Sequence, residues 1–368
     1  MKKVLKKIWK PIVLLLIYIL SFYFLLRGCD FKELGNNFKK MNAWLFVLAL
    51  LMVFAQIYIQ GLCYKVMTHS FKMKFNTLQG FGYCSIDLFF SQITPFAVGG
   101  QPVMVYEMSK RGLPASKTTT MVLLYSFLNK LALIIMAIVA VLLYRELFIS
   151  DSWWQVALIV FGIVCNLIIA SISIVCMFMG GFVYKTGTKT ILRLKKRNLV
   201  KNPYKKIRKL RRSIKDFKES NKFIKNHLFV SFVVLLLCIL KRIATFATGF
   251  FIYIGLGLSD KSFVYIIAVQ TVIALVADSF PIPGGVGAYE ATFMSLYESI
   301  YPDEMGKAAL MMVRGISYYF LIMVSGVTTM FITFGGKKKK NIDDIKEVEV
   351  KEIEGDTNET KDVSNEVL

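Results

Sequence analysis

A chain of 368 residues with 55% hydrophobic and only 19% charged residues lies below the roughly 25% charge typical of soluble domains. Its apolar runs are too long to hide in a soluble core, so the bilayer must be the solvent, and a soluble enzyme is excluded. The formal net charge of +22 is concentrated in a few segments rather than spread evenly. Six scattered cysteines (Cys29, Cys63, Cys84, Cys165, Cys176, Cys238) form no CxxC pair, and His69 and His227 cannot build a zinc site alone. Neither a metal nor another cofactor is expected. No Walker-type loop and no nucleophile–His–acid trio suggests catalysis.

In chain order, Met1–Lys10 carries five lysines ahead of the apolar run Pro11–Leu26, which reads as an uncleaved first span. Met41–Tyr64 predicts the second. Thr118–Tyr144 is interrupted only by Lys130, and Ser152–Tyr184 carries no charge. Leu228–Ser259 is broken by Lys241-Arg242, and Ala308–Gly336 by Arg314. Each run is long enough for a helix to cross a hydrocarbon core about 30 Å thick.

Two further apolar segments, Leu88–Tyr106 and Ser262–Tyr289, differ in kind. The first contains Thr94-Pro95-Phe96-Ala97-Val98-Gly99-Gly100-Gln101-Pro102, and the second Pro281-Ile282-Pro283-Gly284-Gly285-Val286-Gly287. Proline removes a backbone donor, and paired glycines permit shapes that no helix keeps. Broken backbone at membrane depth survives only when buried in protein or lining a wet cavity. Both segments therefore read as re-entrant hairpins, with two kinked full spans as the alternative. The expected fold is an all-α polytopic membrane protein of six spans and two hairpins, eight hydrophobic segments in all.

With both termini cytoplasmic, the internal loops hold 32 Lys and Arg against 7 outside, as the positive-inside rule requires. The same topology predicts an inverted repeat with halves at about residues 1–144 and 152–336. Each half reads Pro…Gly-Gly…Tyr-Glu…base: Glu107 then Lys130 in the first, Glu290 then Arg314 in the second. Inverted repeats with broken helices recur in transporters, with substrate near the repeat interface.

Between the halves, 185–225 carries 17 basic and 2 acidic residues, with Ile207, Leu210, Ile214 and Phe217 at helical spacing. This pattern suits an amphipathic helix on anionic inner-leaflet lipid, or simply a solvated topology determinant. No nucleic-acid-binding motif accompanies the charge, and no nucleic-acid partner is expected. Residues 337–368 read as a disordered cytosolic tail.

Ionisable groups within the spans and hairpins are Asp87, Glu107, Asp278 and Glu290 against Lys130, Lys241, Arg242 and Arg314. Each costs about 2.5–3.5 kcal/mol at the bilayer centre, so each needs a partner or a role. Ion pairs that fix packing are one reading. A polar cavity for an anionic phosphate group, formed where the charges cluster around the breaks, is the other.

Pro281-Ile282-Pro283-Gly284-Gly285-Val286-Gly287-Ala288-Tyr289-Glu290-Ala291 resembles the PxPGGxGxxEA signature of the flippase-like membrane domain of lysylphosphatidylglycerol synthases. Thr94-Pro95 through Gly99-Gly100-Gln101-Pro102 is similar to that family's first motif, with Gln101 where glutamate is common and Ala97-Val98 in place of glycine. The resemblance covers about residues 5–336. It implies a membrane phospholipid, anionic or aminoacylated, as partner, and the charges and breaks read above lead to an expected substrate path lined by Asp87, Gly99, Gly100, Glu107, Lys130, Lys241, Arg242, Asp278, Pro283, Gly284, Gly285, Gly287, Glu290 and Arg314. In bifunctional members a separate cytosolic domain transfers lysine from lysyl-tRNA, which confers resistance to cationic peptides. No such domain is expected here, so a lipid flippase is the first expectation. A lysyltransferase-type lipid-modifying protein and a scaffold that recruits a synthase are the alternatives.

Overall fold

The computed structural model describes residues 39–94, 97, 99–145, 153–178, 227–296, 300–302 and 305–335, with residue 35 and scattered positions in 188–222. The expected first span Pro11–Leu26, most of the basic segment 185–225 and the tail 337–368 lie outside the described residues. All regular elements among the described residues are helical. Those up to Thr329 belong to one compact unit; those from Met330 belong to a second, of which the end of the last helix is described.

The chain runs through α1 (Ala43–Ser70), α2 (Thr77–Gln92), α3 (Gly100–Lys110), α4 (Ala115–Leu143) and α5 (Trp153–Phe178). It continues through α6 (Leu228–Gly255), α7 (Phe263–Ala277), a 3-10 turn (Pro283–Gly285), α8 (Ala288–Ser295) and α9 (Met305–Arg314). A π-helical turn (Gly315–Phe320) then leads into α10 (Leu321–Gly335). Five stretches are long and apolar enough to cross a membrane: α1, α4, Val156–Cys176 within α5, α6 and the composite Met305–Thr333. Their outward faces are apolar, as Val160, Val164, Ile168 and Ile172 on α5 illustrate. In water such a surface would aggregate; in lipid it is the expected one. The protein is a multi-pass membrane protein.

The two Pro/Gly segments are each split into paired short helices. Asn76 starts α2 with a capping box, its side chain accepting from the Leu78 N–H while Gln79 reaches back to the Asn76 N–H. Ser262 starts α7 by accepting from the Tyr265 N–H at 3.2 Å. At 16 and 15 residues, α2 and α7 fall short of the roughly 20 that a span needs. Each then breaks, and the chain turns to pack the following helix, α3 or α8, against the one before it.

Helix α6 is the centre of the assembly, packed against α1, α4, α7 and α9. Small residues allow the closest approaches. A side chain at Gly61 would meet the Gly80 backbone at 3.2 Å, and one at Gly162 would meet the Leu275 carbonyl at 2.9 Å. Small-residue interfaces of this kind hold membrane helices together where no hydrophobic drive operates.

Candidate functional site

Three spanning helices bring polar residues to their midpoints. Lys130 lies near the middle of α4, Asn166 near the middle of α5, and Lys241-Arg242 near the middle of α6. The end of α7 delivers Asp278 to the same place. Lys130 Nζ donates to Asp278 Oδ2 and to Asn166 Oδ1, each at 2.9 Å. Arg242 Nη2 donates to the same Asp278 oxygen at 3.3 Å. Asn166 is fully buried and turns its amide onto the Gly162 and Leu275 carbonyls and the Ser279 hydroxyl, which fixes its oxygen toward Lys130. One carboxylate thus serves two cations on two helices.

Lys241, one position before Arg242, points a different way. Its Nζ donates to the Tyr125 hydroxyl at 2.8 Å. Asp87 on α2 lies within its electrostatic range and accepts from Gln60 Nε2 at 2.8 Å and from Ser91 Oγ at 3.4 Å. Gly100, the first residue of α3, presses against the Asp87 carbonyl so closely that no Cβ fits. The Gly99 N–H donates to Thr94 Oγ1 at 2.9 Å, closing the first break. Gln101, in the position where the resembled motif carries glutamate, donates its amide to Ser126 on α4.

The second break is organised by Arg314. Its Nε donates to Glu290 Oε1 at 2.7 Å and its Nη2 to the Gly284 carbonyl at 3.1 Å. The guanidinium lies 4.4 Å from the Tyr289 ring centre and 4.6 Å from that of Tyr318. Glu290 also accepts from the Gly287 N–H at 2.6 Å, capping α8. Gly284 and Gly287 sit at φ +63° and +86°, where a β-carbon is disfavoured, and a Cβ at Gly284 would also strike the Tyr318 ring. Pro283 and Gly285 are buried in the same turn. That turn packs against α2, and the Tyr318 hydroxyl donates to the Gln92 carbonyl at 3.5 Å. The two breaks therefore adjoin.

The pairing differs from the spacing in one respect. Glu290 pairs with Arg314, the base of the following span, as the repeat pattern suggests. Glu107 does not pair with Lys130. It is buried on α3 and pairs with Lys110 one turn on, at 2.7 Å, while Lys130 crosses to Asp278 in the second half. A partner at i+3 is always within reach on a helix, and spacing along the chain cannot reveal a closer partner from another helix.

Sequence reasoning missed the neutral partners Gln60, Tyr125, Asn166, Gln270, Tyr289 and Tyr318. Tyr289 donates to Gln270 Oε1 at 3.0 Å, which holds the ring under Arg314. A lone amide inside an uncharged span was the available signal for Asn166, since buried amides need partners.

A family profile described as the lysylphosphatidylglycerol synthase TM region matches residues 11–325. The fold and the polar centre therefore belong to a membrane-domain family. The chain is a member of the lysylphosphatidylglycerol synthase TM-region family. No curated protein matches the chain.

Proposed function

We propose that this protein is a flippase for membrane phospholipid head groups, anionic or aminoacylated, in the cytoplasmic membrane, with both termini cytoplasmic. The carrying observation is the concentration of charge around the second break, beside the first: Lys130, Arg242 and Asp278 ahead of the turn, and Glu290, Arg314 and the Gly284 carbonyl within and after it. Groups so costly in hydrocarbon are retained where a polar species passes. Acyl chains stay in the surrounding lipid while the head group crosses the broken region.

The reading has eight hydrophobic segments, six spanning and two re-entrant, in inverted halves about 1–144 and 152–336. The shortness and self-packing of the α2–α3 and α7–α8 pairs support it. The basic segment 185–225 rests on anionic inner-leaflet lipid, where each base contributes about 1 kcal/mol, and 337–368 is a cytosolic tail.

Reconstitution into liposomes with head-group-labelled phosphatidylglycerol and lysylphosphatidylglycerol tests the function. Wild-type protein is expected to exchange label between leaflets, and Arg314→Gln or Glu290→Gln to abolish exchange while inserting normally. Full exchange by both variants would discard the assignment. Lysine transfer from lysyl-tRNA by the purified chain would replace it with an enzymatic one.

A further inference from the structure

The polar centre around α6 holds more bases than acids. In their ordinary ionised forms, Lys130, Lys241 and Arg242 face the two carboxylates Asp87 and Asp278, an excess of one positive charge among the described residues. The other two pairs, Glu107–Lys110 and Glu290–Arg314, balance themselves. Arg242 lies within electrostatic range of both Lys130 and Lys241 and repels each of them. Lys241 turns to a neutral phenol instead of an acid. Arg242 Nε is buried and has no hydrogen-bond partner, although Nη2 of the same guanidinium reaches Asp278. A buried donor left unpaired costs free energy, and a guanidinium presents its donors as a fork matched to carboxylate and phosphate.

We infer that the Lys241–Arg242 step of α6 binds a single monoanionic phosphate group, and that Asp278 is the internal carboxylate which that group displaces. One added negative charge cancels the excess; a dianion would overshoot it. The phosphate takes Arg242 through Nε and Nη2 and reaches Lys241 on the adjacent side. Asp278 gives up Arg242 but keeps Lys130, itself held by Asn166. On departure Asp278 recovers Arg242, so the cation never remains unpaired in the interior. The phosphate belongs to a phosphodiester lipid head group or to free phosphate in its monoanionic form; the chemistry is the same. The inference rests on the proposed function only for the identity of the carrier.

The test is native mass spectrometry of the full chain in detergent micelles, with phosphatidylglycerol, phosphatidylcholine and inorganic phosphate as probes. Phosphatidylglycerol is expected to bind about tenfold more tightly than phosphatidylcholine. Arg242→Gln and Lys241→Gln should each weaken it about tenfold, and Asp278→Asn should strengthen it by a similar factor, the scale of one charged hydrogen bond. Arg242→Lys keeps the charge but loses Nε, so it should fall between wild type and Arg242→Gln; this variant carries the test if the glutamine variants are not monodisperse. Competition by millimolar inorganic phosphate assigns the site to a free anion, and its failure to compete assigns the site to the lipid.

Phosphatidylglycerol binding indifferent to both bases, or no stronger than phosphatidylcholine binding, overturns the site. Unchanged or weakened binding in Asp278→Asn overturns the displacement. If lipid exchange in vesicles occurs but binding ignores positions 241 and 242, the flippase reading stands and this site falls. If wild type exchanges no lipid yet binds in an Arg242-dependent way, the reverse holds.

Discussion

Lys130 and Asp278 are 148 positions apart in the chain and 2.9 Å apart in space. The bond ties the middle of α4 to the end of α7 and joins the two halves of the sequence. Arg242 shares the same carboxylate oxygen, so the three residues act as one unit.

Removing the shared acid should therefore cost more than removing one base. Asp278→Asn leaves two cations without a carboxylate and is expected to destabilise by about 3 kcal/mol, the lower end for a broken buried pair. The lower end applies because 35% of that side chain is accessible. Lys130→Met leaves Asp278 paired with Arg242 and should cost clearly less. Thermal melting in nanodiscs compares the two; equal losses would show that the acid is not shared.

Arg314→Lys is not a conservative change here. Arginine meets Glu290 through Nε and the Gly284 carbonyl through Nη2 while its plane lies between Tyr289 and Tyr318. A lysine ammonium cannot reproduce that set. Lipid exchange in liposomes should drop at least tenfold, equivalent to about 1.4 kcal/mol, with insertion intact. Near-normal exchange would mean that only the charge matters.

Two glycines separate backbone strain from collision. Gly287→Ala meets open space and carries only the penalty of a sparsely populated positive-φ backbone, about 1–3 kcal/mol. Gly284→Ala adds a clash with the Tyr318 ring, so its melting temperature should fall further. Combining it with Tyr318→Leu should recover part of that additional loss. No recovery would place the cost in the backbone alone.

In the last turn of α6, the Tyr253 hydroxyl donates to the carboxylate of Asp260 on the following loop and holds its pKa below the usual carboxylate range. A depressed acid contributes stability above its unfolded pKa of about 3.9 and loses it as pH falls through the lower folded value. Carboxyl-resonance titration of Asp260 by NMR should move upward in Tyr253→Phe, toward about 3.9. An unmoved midpoint would remove the phenol as the cause.

The proposed topology gives a labelling pattern. In a cysteine-free background, Lys74→Cys and Gly112→Cys, which flank the α2–α3 pair, should label from the same side of the membrane, and Gly257→Cys from the other. Labelling of positions 74 and 112 from opposite sides would make the first segment a full span.

The spans among the described residues were legible because a bilayer demands long, nearly uncharged runs. Predicted Leu228–Ser259 and observed Leu228–Gly255 differ by a few residues at one end. The breaks were legible because Pro281, Pro283 and the glycines around them cannot continue a helix. Charge partners were not. Four acids and four bases were visible, but which helices adjoin depends on packing, and packing gave Lys130 to Asp278. Nor does Gly315–Phe320 announce a π-helical turn: no proline marks it, and such turns arise from the extra residue accommodated between neighbouring contacts.

The adjacency of Lys241 and Arg242 also limits how this protein can vary. Consecutive residues of a helix point about 100° apart, which lets one turn of α6 address Tyr125 on one flank and Asp278 on the other. A single codon inserted just upstream would swing both cations toward the wrong neighbours, whereas the same insertion in the α6–α7 loop would leave them untouched. Homologous chains should accordingly differ in loop length long before they differ in helical phase at this one step.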